Sequence, residues 1–254
     1  MKVILIGSGN VATQLGKSLV ALGNHQIVQV YSRTLAHAQA LAHVLNCPYT
    51  SNIDAIAEDA DLYLLLVNDS AIAEVVEQLP ATWKGIVAHC SGATAIDVLA
   101  KFQQYAVIYP VQSFSKEVNI NIAEVPFGIE AHSAETQALL ISSWSTMSSQ
   151  VFDCSTEQRL ALHTAAVFAN NFSNALFQVA YDLLEEHHLS FDLIKPIILK
   201  TAEKVQKNIP QDVQTGPAIR NDKISMEKHL QFLSRHPDWQ LIYQKISDLI
   251  TKRG

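Results

Sequence analysis

The stretch Lys2-Val3-Ile4-Leu5-Ile6-Gly7-Ser8-Gly9-Asn10-Val11-Ala12 stands at the start of the sequence and decides the predicted fold. Residues 2–6 are apolar and rich in β-branched side chains, which predicts a strand buried on both faces of a parallel sheet. Residues 12–22 predict a helix, because its apolar side chains fall on one face, namely Val11, Leu15, Leu19 and Leu22. A strand, a glycine turn and a helix in this order are typical of a dinucleotide-binding βα unit.

The glycine turn matches the pattern GxGxxA, and each small residue has a physical reason. Gly7 permits the tight turn, Gly9 lets the backbone approach a pyrophosphate, and Ala12 allows close contact between strand and helix. The free N–H groups at the helix start would then meet the phosphates. We therefore predict that the pyrophosphate is bound by Gly7, Ser8, Gly9, Asn10 and Val11. A glycine-rich turn that binds no nucleotide is the alternative.

The end of the second predicted strand, residues 25–31, indicates which dinucleotide is bound. An acidic residue at this place would hold the free 2′-hydroxyl of NAD and repel a 2′-phosphate. Here the chain has Ser32, Arg33 and Thr34, all of which can donate hydrogen bonds to a phosphate. The sequence thus predicts NADP(H) as the cofactor. An ordinary strand end followed by a solvated arginine is the alternative.

The composition excludes several classes of protein. A formal net charge of −6 over 254 residues argues against nucleic acid or an anionic membrane as the main partner. Cys47, Cys90 and Cys154 are widely spaced without a CxxC pair, so neither a disulfide framework nor a zinc site is indicated. His25 and the pair His187-His188 lack metal-ligand spacing and are predicted to lie on the surface. No apolar run is long enough to span a bilayer, and we expect a cytoplasmic protein.

Strand and helix patterns alternate up to Asp153, which predicts an α/β fold with a doubly wound parallel sheet. The further predicted strands are residues 47–50, 61–67, 86–90, 106–109, 126–131 and 150–153, and the further predicted helices are 35–45, 54–59, 72–78, 94–103 and 134–147. Beyond Asp153 only helices are predicted, at about 157–187, 192–208 and 226–252, the last interrupted near Pro237. We therefore predict a nucleotide-binding domain over 1–153 and an all-helical domain for substrate binding or dimerisation over 154–254.

Loops at the carboxyl ends of the predicted strands lie on the ligand side of such a sheet. Val67 and Asn68 are predicted to line the adenosine side of the cofactor, and Ser91 and Gln112 to lie near the nicotinamide, with Ser113 near the substrate. His89 is interpreted as a core histidine. Cys90 has no activating neighbour other than His89, so a thiolate nucleophile is not favoured.

The long predicted helix after Asp153 carries one polar stripe. At ~100° per residue, the stripe contains Arg159, His163, Asn170, Asn174 and Tyr181, whereas the other faces are apolar, so the helix is predicted to be largely buried. One hypothesis makes His163 a proton donor or acceptor and lets Asn170 orient a carbonyl or imine, with Asn174 also at the substrate. The other is that the stripe bonds neighbouring helices or a twofold partner.

Arg220 is a further candidate, in the loop before the last helices. Its guanidinium would bind a substrate carboxylate or, alternatively, pair with Asp222 or Glu227. No cluster in the sequence predicts a metal site.

The chain resembles a family of bacterial Rossmann-like proteins named as NADP oxidoreductases, which carry a helical C-terminal domain of unknown function. The resemblance rests on the motifs GSGNVA (7–12), YSRT (31–34), LLLVNDSAI (64–72), HCSGAT (89–94), YPVQSFS (109–115), ANNF (169–172) and TGPAIRND (215–222). More distantly, the layout is similar to pyrroline-5-carboxylate reductase, to 6-phosphogluconate and 3-hydroxyisobutyrate dehydrogenases, and to deazaflavin-dependent NADP reductases. This wider group implies a Rossmann domain that binds NADP, an all-helical second domain, and a homodimer formed through that second domain.

One departure from this group bears on the chemistry. Hydroxyacid dehydrogenases of the group have a Lys-x-x-x-Asn pair on the long helix, but here Ala166 stands four residues before Asn170, and Val167 four before Asn171. This departure argues against hydroxyacid dehydrogenase chemistry and leaves imine or carbonyl reduction open, since pyrroline-5-carboxylate reductases do without that lysine. We predict hydride transfer between NADPH and a small carbonyl or imine. The alternatives are a non-catalytic, NADP-responsive binding or scaffold protein and a deazaflavin-dependent NADP reductase.

Overall fold

The computed structural model describes residues 1–115, 118 and 120–253. The chain forms two compact units, Met1–Ala169 and Asn170–Gly254. The first unit contains a sheet with helices on both faces, whereas the described part of the second unit is helical. The predicted fold class is confirmed.

One eight-stranded sheet, in the order β3-β2-β1-β4-β5-β6-β7-β8, organises the described part of the first unit. Its strands are β1 Lys2–Ile6, β2 Gln26–Tyr31, β3 Tyr49–Thr50, β4 Leu62–Leu65, β5 Ile86–His89, β6 Tyr105–Pro110, β7 Phe127–Ala131 and β8 Val151–Asp153. All neighbouring pairs are parallel except β6 and β7, which are antiparallel. The chain direction of the crossovers reverses between β1 and β4, which is where ligands bind in such sheets.

Alternate residues of β1 enter two different apolar cores, because successive strand side chains point to opposite faces. Val3 and Leu5 pack in one core with Leu15 and Leu19 of helix α1 (Asn10–Leu22). Ile4 and Ile6 pack in the other core, which contains Trp83 stacked on Tyr63 with ring centroids 4.0 Å apart. Burial of each such aliphatic side chain stabilises the fold by about 1.5–3 kcal/mol. The predicted two-faced burial of β1 is confirmed.

The remaining helices of the first unit are α2 Leu35–Leu45, α3 Asp69–Gln78, α4 Ala134–Trp144 and α5 Thr156–Ala166. Two predicted helices were wrong: the segments 54–59 and 94–103 contain only the short 3-10 turns Ile53–Ala55 and Ile96–Leu99. In the second case residues 91–94 form a turn closed by the Ser91 hydroxyl, so that Thr94 does not start a helix.

His25 lies against Trp144 of α4, with ring centroids 5.6 Å apart, and is buried. Its predicted surface position was wrong. The residue precedes β2, whose sequence pattern reports the strand but not the helix that covers its start.

Helix α5 belongs to the first unit, so the division between units lies sixteen residues after the boundary that we predicted at Asp153. Ser155 and Gln158 form a capping box that starts α5. Arg159, in its first turns, is buried in the first unit. The predicted unbroken helix over 157–187 is interrupted by a π-helical segment, Val167–Phe172, and the division between the units falls within it.

The second unit contains α6 Ser173–Glu186, α7 Lys195–Val205, α8 Lys223–Phe232 and α9 Pro237–Thr251. Among its described residues only Ala218, Leu233 and Ser247 are buried. The apolar side chains of α6, including Leu176 and Phe177, are exposed in the single chain, so the predicted burial of this helix is wrong for one chain alone. Within the described residues no helix combines the length and apolar character needed to cross a membrane.

Candidate functional site

The turn after β1 has the geometry that a dinucleotide-binding turn needs. Gly7 has φ +131°, and a Cβ at this position would lie 2.2 Å from the carbonyl oxygen of Leu66 in the segment after β4. Its N–H donates to the carbonyl oxygen of Tyr31 at the end of β2 (2.8 Å). Only glycine fits here, because a side chain would be strained and would clash with the neighbouring backbone.

Gly9, unlike Gly7, has free space around its Cα atom. A Cβ at Gly9 would meet no atom within 4 Å, and no side chain caps the start of α1. The first N–H groups of this thirteen-residue helix therefore face open space with the positive end of the helix dipole. This arrangement suits an anion such as a pyrophosphate.

A groove of about 300 Å³ begins at Gly9 and crosses the carboxyl ends of β1, β4 and β5. It brings together seven of the predicted cofactor or substrate residues, namely Gly9, Asn10, Val11, Val67, Asn68, Ser91 and Gln112; its other lining residues are Leu65, Leu66, Asp69, Cys90 and Phe114. This is the switch point of the sheet, and the loops that we selected from the strand ends meet there.

The predicted 2′-phosphate residues lie beside the glycine turn. Ser8 Oγ donates to Ser32 Oγ (2.9 Å), and Ser32 is buried. Arg33 and Thr34 are exposed, and the Thr34 side chain does not cap helix α2, which begins after it. The guanidinium and one hydroxyl are thus available to a ligand at the end of β2.

Two predicted contact residues use their side chains within the protein. Asn10 Nδ2 donates to the carbonyl oxygen of Phe114 (3.0 Å), which fastens the loop after β6 to the start of α1. Gln14 Nε2 strengthens this attachment by donating to the carbonyl oxygen of Ser115 (2.6 Å). Gln112 Oε1 accepts from the N–H of Ser113 (2.8 Å).

The loop after β5 is also internally bonded. Ser91 Oγ accepts from the N–H groups of Ala93 (3.2 Å) and Thr94 (2.9 Å). His89 is fully buried, and its Nδ1 accepts from the N–H of Ser91 (3.2 Å). Burial, helped by the charge of Arg159, lowers the pKa of His89 to about 4, so the ring is neutral at pH 7, in agreement with a core histidine. Burial raises the pKa of Cys90 to about 12, which leaves a thiol and no nucleophilic thiolate.

His163 of α5 lies against the same loop. A Cβ on Gly92 would come within 2.6 Å of the His163 ring atoms Cγ and Nδ1, so the ring packs directly on the Gly92 backbone. The hydroxyl oxygen of Tyr109, at the end of β6, lies 3.3 Å from His163 Nδ1. Tyr109 is buried, and burial raises the pKa of its hydroxyl.

Tyr109 was not assigned a role from the sequence, although it stands in the YPVQSFS loop that we selected. Its partner on α5 is 54 residues away, and no spacing rule links the two. The only hint in the sequence was chemical: a tyrosine at a strand end can hydrogen-bond a histidine, so Tyr109 could have been proposed as a partner of His163.

Asn170, Asn174 and Arg220 lie in the second unit, and all three are exposed. The Asp222 carboxylate, one proposed partner of Arg220, accepts from the N–H (3.1 Å) and hydroxyl (2.7 Å) of Ser225 at the start of α8. These hydrogen bonds lower the pKa of Asp222, and the charge of Arg220 adds to the effect. The substrate roles of these three residues stay predictions.

Comparison with known proteins identifies the family to which this chain belongs. Residues 1–111 match the model of a Rossmann-like domain, and residues 125–250 match a domain of unknown function, DUF2520. The crystal structure of a protein from Bacteroides fragilis named a "putative NADP oxidoreductase" is 39% identical, covers 99% of this chain and 98% of its own, and has a TM-score of 0.90. The chain belongs to this family of Rossmann-like proteins with a DUF2520 domain.

The family resemblance that the sequence motifs predicted is thereby confirmed. Other solved structures share the fold of this DUF2520 protein at lower identity. A pyrroline-5-carboxylate reductase from Streptococcus pyogenes is 16% identical, with a TM-score of 0.64 over 99% of this chain and 98% of its own. A reductive aminase from Aspergillus terreus, in complex with NADPH and ethyl-5-oxohexanoate, is 14% identical, with a TM-score of 0.72 over 99% and 92%. A search of the curated proteins found no match.

Proposed function

We propose that this DUF2520 protein is an NADP(H)-dependent oxidoreductase that transfers hydride between NADPH and a small carbonyl or imine compound. The observation that carries the proposal is the groove that runs from the open helix start at Gly9 to Ser91, next to Gly92 and its contact with His163. The names of the similar structures support it, since one is an NADP oxidoreductase by name and another is a reductive aminase bound to NADPH.

In this proposal the first unit binds the dinucleotide. The backbone of residues 7–11 holds the pyrophosphate, and Arg33 and Thr34 donate to the 2′-phosphate. Ser32 contributes through its bond to Ser8, which fixes the turn beside them. Val67 and Asn68 line the adenosine side, and Ser91 lies near the nicotinamide.

His163 is the residue that we propose for proton transfer. NADPH supplies a hydride to the carbon of a C=O or C=N group, and the oxygen or nitrogen must then receive a proton. When the His163 ring carries a proton on both nitrogens, Nδ1–H can donate to the Tyr109 hydroxyl oxygen, and the other N–H can give its proton to the substrate, which leaves a neutral imidazole. Hydroxyacid dehydrogenases of the wider group have a lysine where this chain has Ala166. Because that lysine is missing, we propose His163, on the same helix face, as the acid.

The substrate contacts that we propose are Gln112 and Ser113 in the first unit and Asn170, Asn174 and Arg220 in the second. Amide groups can orient a carbonyl or imine, and a guanidinium can bind a carboxylate.

We also propose that the protein is a homodimer formed through the second unit. A domain of 85 residues is expected to enclose an apolar core, yet only three described residues of this unit are buried and many of its large apolar side chains are exposed. An apolar crevice of about 360 Å³, lined by side chains of α6 and α9 such as Leu183 and Ile246, adds to this uncovered surface. A second copy would cover these helices by packing apolar faces against each other.

The three cysteines are free, which supports the proposal that the protein acts in the reducing cytoplasm.

The function can be tested by following nicotinamide absorbance while NADPH is mixed with a panel of cyclic imines, small ketones and a deazaflavin. For an active compound, His163→Ala should lower kcat by about 10²–10⁴-fold, the usual contribution of a general acid, without weakening NADPH binding. His43→Ala, which changes an exposed histidine on α2, is the control and should leave kcat unchanged.

An unchanged kcat in His163→Ala would contradict the proton-transfer role, and loss of folding or dimerisation would support a structural role for the polar stripe. NADPH binding without turnover of any compound would favour the NADP-responsive binding protein. Turnover of the deazaflavin alone would favour the deazaflavin-dependent reductase.

A further inference from the structure

Arg159 is a buried charge that the proposed chemistry does not use directly. Only 1% of its side chain is exposed, although arginine is rarely buried unless it is paired. It stands four residues before His163 on α5, so the two side chains share one face of the helix.

The guanidinium of Arg159 joins α5 to strand β7 and to the loop after β5. Its Nη1 forms an ion pair with Glu130 Oε2 on β7. Its Nη2 donates to the carbonyl oxygen of Thr94 in the loop after β5 (2.6 Å). The Glu130 carboxylate also accepts from the N–H (3.0 Å) and hydroxyl (2.9 Å) of Thr156, which fixes the first turn of α5.

The loop that Arg159 holds is the loop on which His163 rests. Thr94 closes the Ser91 turn, and Gly92 within that turn packs on the His163 ring. Tyr109 contacts His163 Nδ1 from the neighbouring strand. The helix, the loop and the histidine are therefore linked through one guanidinium.

The energetics of this ion pair favour a role in orientation over one in stability. A buried ion pair loses much of its Coulomb attraction to the cost of desolvation, and apolar pairs of similar size are often as stable. Here the compensation is incomplete, because Arg159 Nε is buried without a hydrogen-bond partner among the described residues. The contacts with Glu130 and Thr94 instead fix the orientation of the Arg159 side chain relative to α5 and the loop. A planar guanidinium fixes orientation better than an ammonium group does.

We propose that Arg159, with Glu130 as its counter-ion, is a positioning residue that locks α5 to the Ser91–Thr94 loop and so holds the His163 ring on Gly92 with Nδ1 at Tyr109. The catalytic meaning of this device rests on the proposed function. The positioning itself concerns only residues of the first unit and can be measured without a substrate.

The test uses the full-length protein with ¹⁵N-labelled histidine and records the ring-nitrogen NMR signals at one pH. His163→Ala identifies the His163 signals. The native ring should show one predominant tautomer with a hydrogen-bonded Nδ1. In the double variant Arg159→Met/Glu130→Leu, which replaces the ion pair by apolar side chains, these signals should shift to the tautomer mixture of a mobile imidazole. Asp59→Asn, which removes an exposed ion pair of the same unit, is the matched control and should change nothing.

A folded double variant with unaltered His163 signals would overturn the proposal. Should the double variant fail to fold, Arg159→Lys decides, because it keeps the charge but not the two-point contact; altered His163 signals support the proposal and unaltered signals overturn it. NADPH binding by the native protein is measured separately. Failure of the proposed function would appear as absent NADPH binding in the native protein, whatever the ring signals show.

Discussion

The two units of this chain solve the burial problem differently. The first unit covers both faces of its sheet, with β1, β4 and β5 almost fully enclosed. The second unit has amphipathic helices of similar length but leaves apolar side chains such as Leu193 and Ile197 each 67% exposed. The first unit buries its apolar side chains within one chain, whereas an apolar surface left open to this extent is typical of a face that another protein surface covers.

The largest expected effect is a loss of stability on substitution in the apolar core of the first unit that contains Phe127. Phe127 of β7 is fully buried, and Phe127→Ala should lower the free energy of unfolding by about 3–5 kcal/mol, because it removes apolar contact and leaves a cavity. Chemical denaturation measures this loss. The control Val44→Ala, at an exposed position of α2, should change it by less than about 0.5 kcal/mol. A loss as small for Phe127→Ala would contradict the described core.

In the second unit, substitution of exposed apolar side chains should weaken dimerisation and leave the fold of the single chain intact. If Leu193 and Ile197 are covered by a second copy, Leu193→Ser/Ile197→Ser should weaken the dimer by about 3 kcal/mol or more, which is over a hundredfold in Kd. Sedimentation equilibrium of native and variant protein measures this. The exposed substitution Lys207→Ser on the same unit serves as control. A native protein that is monomeric would refute the proposed dimer.

Cofactor discrimination should be sensitive to a single residue of the first unit. Arg33→Ala should weaken NADPH binding by about 1.5–3 kcal/mol, the range for a hydrogen bond to a charged group, and leave NADH binding nearly unchanged. Calorimetric titration with each cofactor measures the difference, and Lys84→Ala removes a distant exposed cation as control. Equal losses for both cofactors would exclude a 2′-phosphate contact.

Burial of His89 in the first unit should also make the free energy of unfolding depend on pH. Because the pKa of His89 is about 4 when folded and near 6.5 when unfolded, the unfolded chain binds more protons between these values. His89 therefore does not reduce stability above about pH 6.5, and by pH 5 it should lower the free energy of unfolding by about 2 kcal/mol. Urea denaturation at pH 7 and pH 5 should show a smaller loss for His89→Asn than for the native protein. Equal losses would mean that His89 is not buried in its neutral form.

Local patterns in the sequence predicted the parts of the fold that local forces decide. The strand, turn and helix at residues 2–22 were correct, because side-chain periodicity and glycine conformation are encoded there. The antiparallel direction of β7 was not predictable, since it depends on which strand Phe127–Ala131 pairs with. The helix predicted over 94–103 was wrong: the N–H of Thr94 instead donates to the Ser91 hydroxyl and closes a turn, a contact that apolar periodicity does not encode.

The candidate site shows the same division. The polar stripe singled out His163, but the pairing of Arg159 with Glu130 spans 29 residues and has no signature in spacing. The contact of Gly92 with His163 likewise requires two distant segments to meet. Such contacts are set by the sheet order, which the sequence pattern left open.

The most direct test of the central claim is a calorimetric titration of the native protein with NADPH and, separately, with NADH. The proposed function predicts that NADPH binds at least about tenfold more tightly than NADH, the minimum expected from one charged hydrogen bond to the 2′-phosphate. Absence of binding by either dinucleotide would contradict the oxidoreductase assignment.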